Sequence, residues 1–176
     1  GKYALRPGDT DATNNPLFHD YNEILFGTGI YWERFYTSSM IYGFGFQEYI
    51  ASGHRIELVG GYSWREFGNF WYAGFNSLKG GFVPIGFLMG KASFGTYINS
   101  RGGGLQRTVL NLEGRWISNL WGGGKTKVRQ FITFRWTQGW NMGTGAGSLV
   151  RFTRDVRPVS FETYAAGRNR MLLNTE

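Results

Sequence analysis

Arg107-Thr108-Val109-Leu110-Asn111-Leu112-Glu113-Gly114-Arg115-Trp116 is the stretch on which the fold turns. Thr108, Leu110, Leu112, Gly114 and Trp116 fall on one side of it; Arg107, Val109, Asn111, Glu113 and Arg115 fall on the other. A repeat of two means β-strand, because successive Cβ atoms point to opposite faces of a sheet. After Gly122-Gly123-Gly124 the pattern resumes, with Val128, Ile132, Phe134 and Trp136 opposing Lys127, Arg129, Thr133, Arg135 and Thr137. One face is bulky and aromatic and the other carries full charges, so water or a polar plug is expected on the charged side. Long strands divided in this way are how a transmembrane β-barrel reads, apolar toward lipid and polar toward the lumen.

Working outward, the same division recurs. Ile56, Leu58, Gly60, Tyr62 and Trp64 oppose Arg55, Glu57, Gly61, Ser63 and Arg65, while Trp71, Ala73 and Phe75 alternate with Tyr72, Gly74 and Asn76. Upstream, Ile24, Phe26, Thr28, Ile30 and Trp32 share a face, and a second run from Tyr36 to Gln47 follows. Turns are expected at Ala51-Ser52-Gly53, Gly68-Asn69, Gly80-Gly81 and Gly102-Gly103-Gly104. A weaker run covers 85–99, and further segments cover Leu149–Arg157 and the end of the chain from Arg168. The count is about eight strands in an antiparallel meander. The clean runs exceed the roughly 5–6 residues of a soluble strand and reach the roughly 9–11 of a membrane strand.

Composition agrees with this pattern. Among 176 residues there are 28 glycines, about twice the usual share, and 18% are aromatic. No stretch approaches the roughly 18 apolar residues of a helical span. The net charge of +7 comes from dispersed Arg and Lys that alternate with Glu rather than from a dense run. A nucleic-acid partner is therefore not expected, since it needs a contiguous basic footprint. With no cysteine there is neither a disulfide framework nor a thiolate metal site.

Residues 1–21 are polar, with turn signals at Pro7-Gly8-Asp9 and Asn14-Asn15-Pro16, and read as a leader or loop before a barrel domain at 22–176. The alternation stops in mid-run at Glu176, so the barrel is expected to be incomplete at its C-terminus.

Tyr36-Thr37-Ser38-Ser39-Met40-Ile41-Tyr42-Gly43-Phe44-Gly45, Arg55–Tyr62, Asn119-Leu120 and Arg129-Gln130-Phe131 resemble outer-membrane barrels of the Bacteroidetes type. Gly167-Arg168-Asn169-Arg170-Met171-Leu172-Leu173-Asn174-Thr175-Glu176 is similar to the strand that follows the lumen-inserted loop in the bacterial surface-antigen (BamA-like) superfamily. This resemblance runs from about Ile24 onward, in general texture rather than in one motif. It implies an up-and-down barrel in the outer membrane of a Gram-negative bacterium, non-enzymatic, acting in transport or in assembly and translocation of envelope proteins. The Arg-Gly-Phe motif of the superfamily's plugging loop is absent around Val150-Arg151-Phe152 to Asp155-Val156-Arg157, a departure that bears on the insertase or secretion function and leaves the barrel intact. Expected partners are outer-membrane lipid and other envelope proteins or complex subunits. Two alternatives stand beside this reading: a subunit of a larger outer-membrane complex, and a soluble ligand-binding β-barrel or outer-membrane lipid hydrolase.

No catalytic residue, cofactor or metal is expected. His54 with Ser52 and Glu57 is the one grouping with the ingredients of a triad, but a solvated turn histidine explains it better; His19-Asp20 reads as a surface pair. Gly122-Gly123-Gly124-Lys125-Thr126 lacks the first glycine of a phosphate-binding loop, whose position is held by Asn119. The Gly143–Gly147 stretch lacks the flanking strand-helix-strand pattern of a dinucleotide site. The candidate functional residues are the charged faces. Arg107, Glu113, Arg115, Lys127, Arg129 and Arg135 are expected to line the lumen, either setting anion preference or pairing with carboxylates across it. Trp64, Trp71, Trp116, Phe134 and Trp136 are expected to face lipid as an aromatic belt.

Overall fold

A computed structural model describes residues 20–39, 41, 46–66, 68–124, 126–142, 150–151 and 166–176. Its elements are β1 (Tyr21–Ser39), β2 (Gln47–Arg65), β3 (Gly68–Val83), β4 (Gly86–Asn99), β5 (Leu105–Ser118), β6 (Phe131–Trp140), β7 (Val150–Arg151), β8 (Ala166–Gly167) and β9 (Asn169–Thr175). Seven strands form one antiparallel sheet in the order β1-β2-β3-β4-β5-β6-β9, and β7 pairs with β8 separately. The chain is all-β, as the alternation predicts. The closed barrel is not present: β1 and β9 are the two edges of an open sheet.

Several expected boundaries move. β1 runs unbroken through 19 residues, and β2 starts at Gln47, so the expected turn at Ala51-Ser52-Gly53 lies within a strand. Gly53 is opposite Glu33, and a Cβ there would strike the carbonyl oxygen of Trp32. The glycine serves a close approach of two backbones rather than a turn. Gly80-Gly81 likewise lies inside β3; the chain reverses at Pro84-Ile85, and Gly86 takes φ +132° to begin β4. The turn at 100–104 matches expectation. Gly103 takes φ +65° and donates its N–H to the Asn99 carbonyl at 3.1 Å, and Asn99 Oδ1 accepts from the Arg101 N–H at 2.9 Å.

The second half of the opening pattern is corrected most. β6 begins at Phe131, so Lys127 and Arg129 belong to a loop. The ladder stops where Ser118 Oγ accepts the Gln130 N–H at 2.9 Å. Beyond it only a single bridge, Trp121 to Val128, continues, and its register differs by one residue from that of β5 and β6. A one-residue slip exchanges the two faces of a strand, so alternation in sequence no longer reports side-chain direction there.

The sheet curls toward its charged face. Adjacent strands lie about 4.8 Å apart, placing β1 and β4 about 14 Å apart in a flat sheet. Yet Tyr97 Oη on β4 donates to Glu23 Oε1 on β1 at 3.1 Å. The Arg129 guanidinium reaches the Ser39 carbonyl at 3.1 Å, from the β5–β6 loop to the end of β1. Burial of Arg129 pushes its pKa down, the nearby Glu48 acts in the opposite sense, and an arginine stays a cation regardless. A small apolar cluster of Ile41, Ile50, Phe87 and Ile117, backed by Met89 and Phe131, packs at this same end.

Candidate functional site: the concave polar face

Antiparallel register carries each side chain's face from strand to strand. Glu57 on β2 is opposite Asn76 on β3; Ser93 on β4 is opposite Asn111 on β5, which is opposite Thr137 on β6 and then Arg170 on β9. The neighbouring row is Lys91, Glu113 and Arg135, followed by Leu172. Arg115 stands one step further along β5, between Met89 and Thr133. Glu113 stands between Lys91 and Arg135 in its row, and its Oε1 lies 3.5 Å from Arg135 Nε. Lys91, Glu113, Arg135 and Arg170 border a cavity of about 370 Å³ together with Ser93, Asn111 and Thr137. Hydroxyl and amide groups beside mixed charges suit a wet surface that holds anions weakly and reversibly.

A second polar cluster lies toward the β2–β3 and β4–β5 turns. The Arg65 guanidinium sits 4.4 Å from the Tyr97 ring centroid, 5.3 Å from Phe70 and 5.8 Å from Tyr21, while its Nε donates to Ser63 Oγ at 2.9 Å. Tyr72 packs beside Tyr97 at 5.0 Å and covers Gly95, where an added methyl would sit 2.8 Å from the Tyr72 hydroxyl. The rings gathered around Arg65 and the Glu23–Tyr97 hydrogen bond fasten β1 to β4 across the concave face. Arg65→Lys keeps the charge but loses the planar group that stacks and donates. It is expected to lower stability by about 1–2 kcal/mol in a denaturant titration, close to the effect of Arg65→Ala. A lysine variant with full stability would show that charge alone holds the cluster.

Of the expected charged residues, Glu113, Arg115 and Arg135 share the concave face. Arg107 departs from regular alternation: it takes φ +49° where the β4–β5 register shifts, within electrostatic reach of Arg65. Beside this bulge Thr96 and Thr108 are buried and their hydroxyls are 2.7 Å apart. Lys127 and Arg129 are displaced into the loop. Sequence reading passed over Lys91 as a member of the row, and over Glu23, Tyr72 and Tyr97, since no single strand shows that register will gather them.

Trp64, Trp71, Trp116, Phe134 and Trp136 all lie on the opposite, convex face. Tyr62 meets both Trp64 and Trp71 edge-on at 4.9 and 4.7 Å. Trp116 Nε1 donates to the Ile85 carbonyl at 3.2 Å, and Trp136 Nε1 donates to Asn169 Oδ1 at 2.9 Å. Trp64 and Trp71 are exposed, whereas Trp116 and Trp136 are half-buried with their ring N–H groups satisfied.

Ser52, His54 and Glu57 do not converge. Ser52 Oγ donates to the Gly80 carbonyl at 2.8 Å, His54 stacks on Trp32 at 4.7 Å, and Glu57 is paired with Arg55 on the other face. Among the described residues no group of three or more His, Cys, Asp or Glu is placed to hold a metal. His19, residues 143–147 and Phe152 to Arg157 lie outside the described residues. No family model, curated protein or solved structure matches this chain.

Proposed function

We propose that this chain forms part of an outer-membrane β-barrel of a Gram-negative bacterium, acting without catalysis in transport or in the assembly and translocation of envelope proteins. The observation that carries this reading is a convex face that is apolar across all seven strands and uncovered. Phe26 is 76% exposed, Ile30 70% and Met171 64%, with Leu58, Trp71, Leu88 and Leu173 exposed beside them. Among the described residues only Ile41, Ile50, Phe87 and Ile117 are both hydrophobic and buried. A contiguous apolar surface of this extent marks contact with lipid or protein. A soluble barrel would have to curl the other way, enclosing the aromatic face and leaving Lys91, Glu113 and Arg135 outside. Strands of 14–19 residues in β1 to β5 also exceed the length needed to cross hydrocarbon. Hydrocarbon does not satisfy free backbone groups, so in this setting β1 and β9 pair with further strands. The concave face then becomes the lumen, and the resemblance to surface-antigen barrels points the same way.

Two measurements test the reading. The protein should remain with membranes through alkaline carbonate and high salt; release into the supernatant would sink the membrane setting. In planar bilayers, the double substitution Arg115→Glu and Arg135→Glu should move the reversal potential toward cation preference. A conducting protein whose selectivity ignores both changes does not line its pore with this face.

A further inference from the structure

The convex face carries little charge, and three basic positions lie close together near one end of it. His54 is directly opposite Trp32 on β1 and Lys79 on β3, and Arg34 stands two residues beyond Trp32 on β1, opposite Ser52. Directly opposed side chains have Cβ atoms about 5 Å apart, so the three basic groups form one patch on three adjacent strands. Apart from Glu48 at the start of β2, they are the only Asp, Glu, Lys, Arg or His side chains whose strand positions fall on this face among the described residues. Glu48 Oε2 is engaged by the Ile41 N–H at 3.0 Å. Arg34 and Lys79 are exposed, and the half-buried His54 ring is held flat against Trp32 at 4.7 Å and 20°.

Position gives the patch its meaning. His54 comes immediately before the apolar run Ile56, Leu58, Gly60, Tyr62, Trp64 on β2, and Lys79 follows Trp71, Ala73, Phe75, Ser77 on β3. The patch therefore lies near one border of the apolar band: it follows the apolar run of β2, and beyond Lys79 only Gly81 and the exposed Val83 continue this face of β3 before the turn. The other border, at Asn22, Trp64 and Asn69, is neutral. On the proposed membrane reading, which this inference rests on, that border is where acyl chains give way to headgroups. Two exposed cations and a ring N–H beside a tryptophan complement a phosphodiester that is anchored in the same plane. We propose that Arg34, His54 and Lys79 bind the headgroup phosphate of an anionic lipid on the outside of the sheet.

The chain has no cysteine, so a single introduced thiol carries a fluorophore without ambiguity. Ser77→Cys places it on the convex face beside Lys79, and Asn69→Cys places one at the far end of β3. The full-length protein is reconstituted in phosphatidylcholine vesicles containing either brominated phosphatidylglycerol or brominated phosphatidylcholine at equal mole fraction. Brominated phosphatidylglycerol should quench the label at position 77 several-fold more strongly than brominated phosphatidylcholine, with no such preference at position 69. Arg34→Gln and Lys79→Gln should each reduce the preference, and the triple variant with His54→Gln should abolish it. Quenching at 77 that is strong but equal for both lipids overturns the headgroup site and leaves the membrane reading standing. Absence of quenching by either lipid at both positions overturns both. Loss of the preference in inorganic phosphate, but not in chloride of equal ionic strength, would identify a free-anion site and overturn the lipid assignment.

Discussion

If the proposed membrane setting holds, Leu58→Arg is expected to destabilise the protein in lipid by about 2–4 kcal/mol, the cost of an arginine near the middle of a bilayer on the outside of a barrel. Asn76→Arg should change stability by no more than about 0.5 kcal/mol. The two positions are near neighbours, since Leu58 is opposite Phe75 and Asn76 is opposite Glu57. They differ in face. Leu58 is 55% exposed on the convex side, and an arginine at position 76 would meet Glu57 on the concave side. Reversible urea unfolding in vesicles measures both. If water bathes the convex face, a half-exposed leucine tolerates arginine, and the two variants unfold at the same midpoint. That equality would remove the main support for lipid contact.

Gly86→Ala is the second substitution with a large expected effect. Gly86 has φ +132°, outside the range an L-residue adopts comfortably, and its Cβ would press on the Ile117 carbonyl oxygen and the Ser118 backbone. Backbone strain of this kind costs about 1–3 kcal/mol, and forcing extra volume against fixed atoms costs about 1–3 kcal/mol more. Their sum is a large part of the roughly 5–15 kcal/mol that holds a typical domain folded. Gly90→Ala supplies the control: it is on the same strand, with nothing within 4 Å of its added methyl. The unfolding midpoint should fall for alanine at 86 and hold or rise at 90. Equal stability of the two variants would mean that the β3–β4 turn relaxes freely.

Strand identity and facial chemistry were legible because both repeat locally. The pairs Leu58 and Glu57, or Leu112 and Glu113, declare a β-strand with one dry and one wet side before any partner is known. Glycine was the poor guide. Gly53 and Gly80-Gly81 look like the glycines at 102–104, but they serve close packing within strands: Gly53 lies against the Trp32 carbonyl, and a Cβ on Gly80 would come 3.2 Å from the Phe87 ring. Their role depends on what lies on the adjacent strand. The loop at 119–130 misled for a related reason. Its residues keep alternating, but the hydrogen bond from the Gln130 N–H to Ser118 Oγ ends the ladder and the register slips.

By itself the sequence determined that the described elements are β-strands and that these strands have an aromatic side and a charged side. Each is a property of consecutive residues, set by the two-residue repeat of the extended backbone. Only the tertiary structure decided that Lys91, Glu113 and Arg135 stand in one row, that Trp32, His54 and Lys79 stand in another, and that Tyr97 reaches Glu23 across the two strands between them. These depend on register, which turns and neighbouring strands fix together. They depend also on curl, the summed result of twist, bulge and side-chain packing over the whole sheet. That curl makes the aromatic side convex and the charged side concave. It turns a local alternation into an outside and an inside.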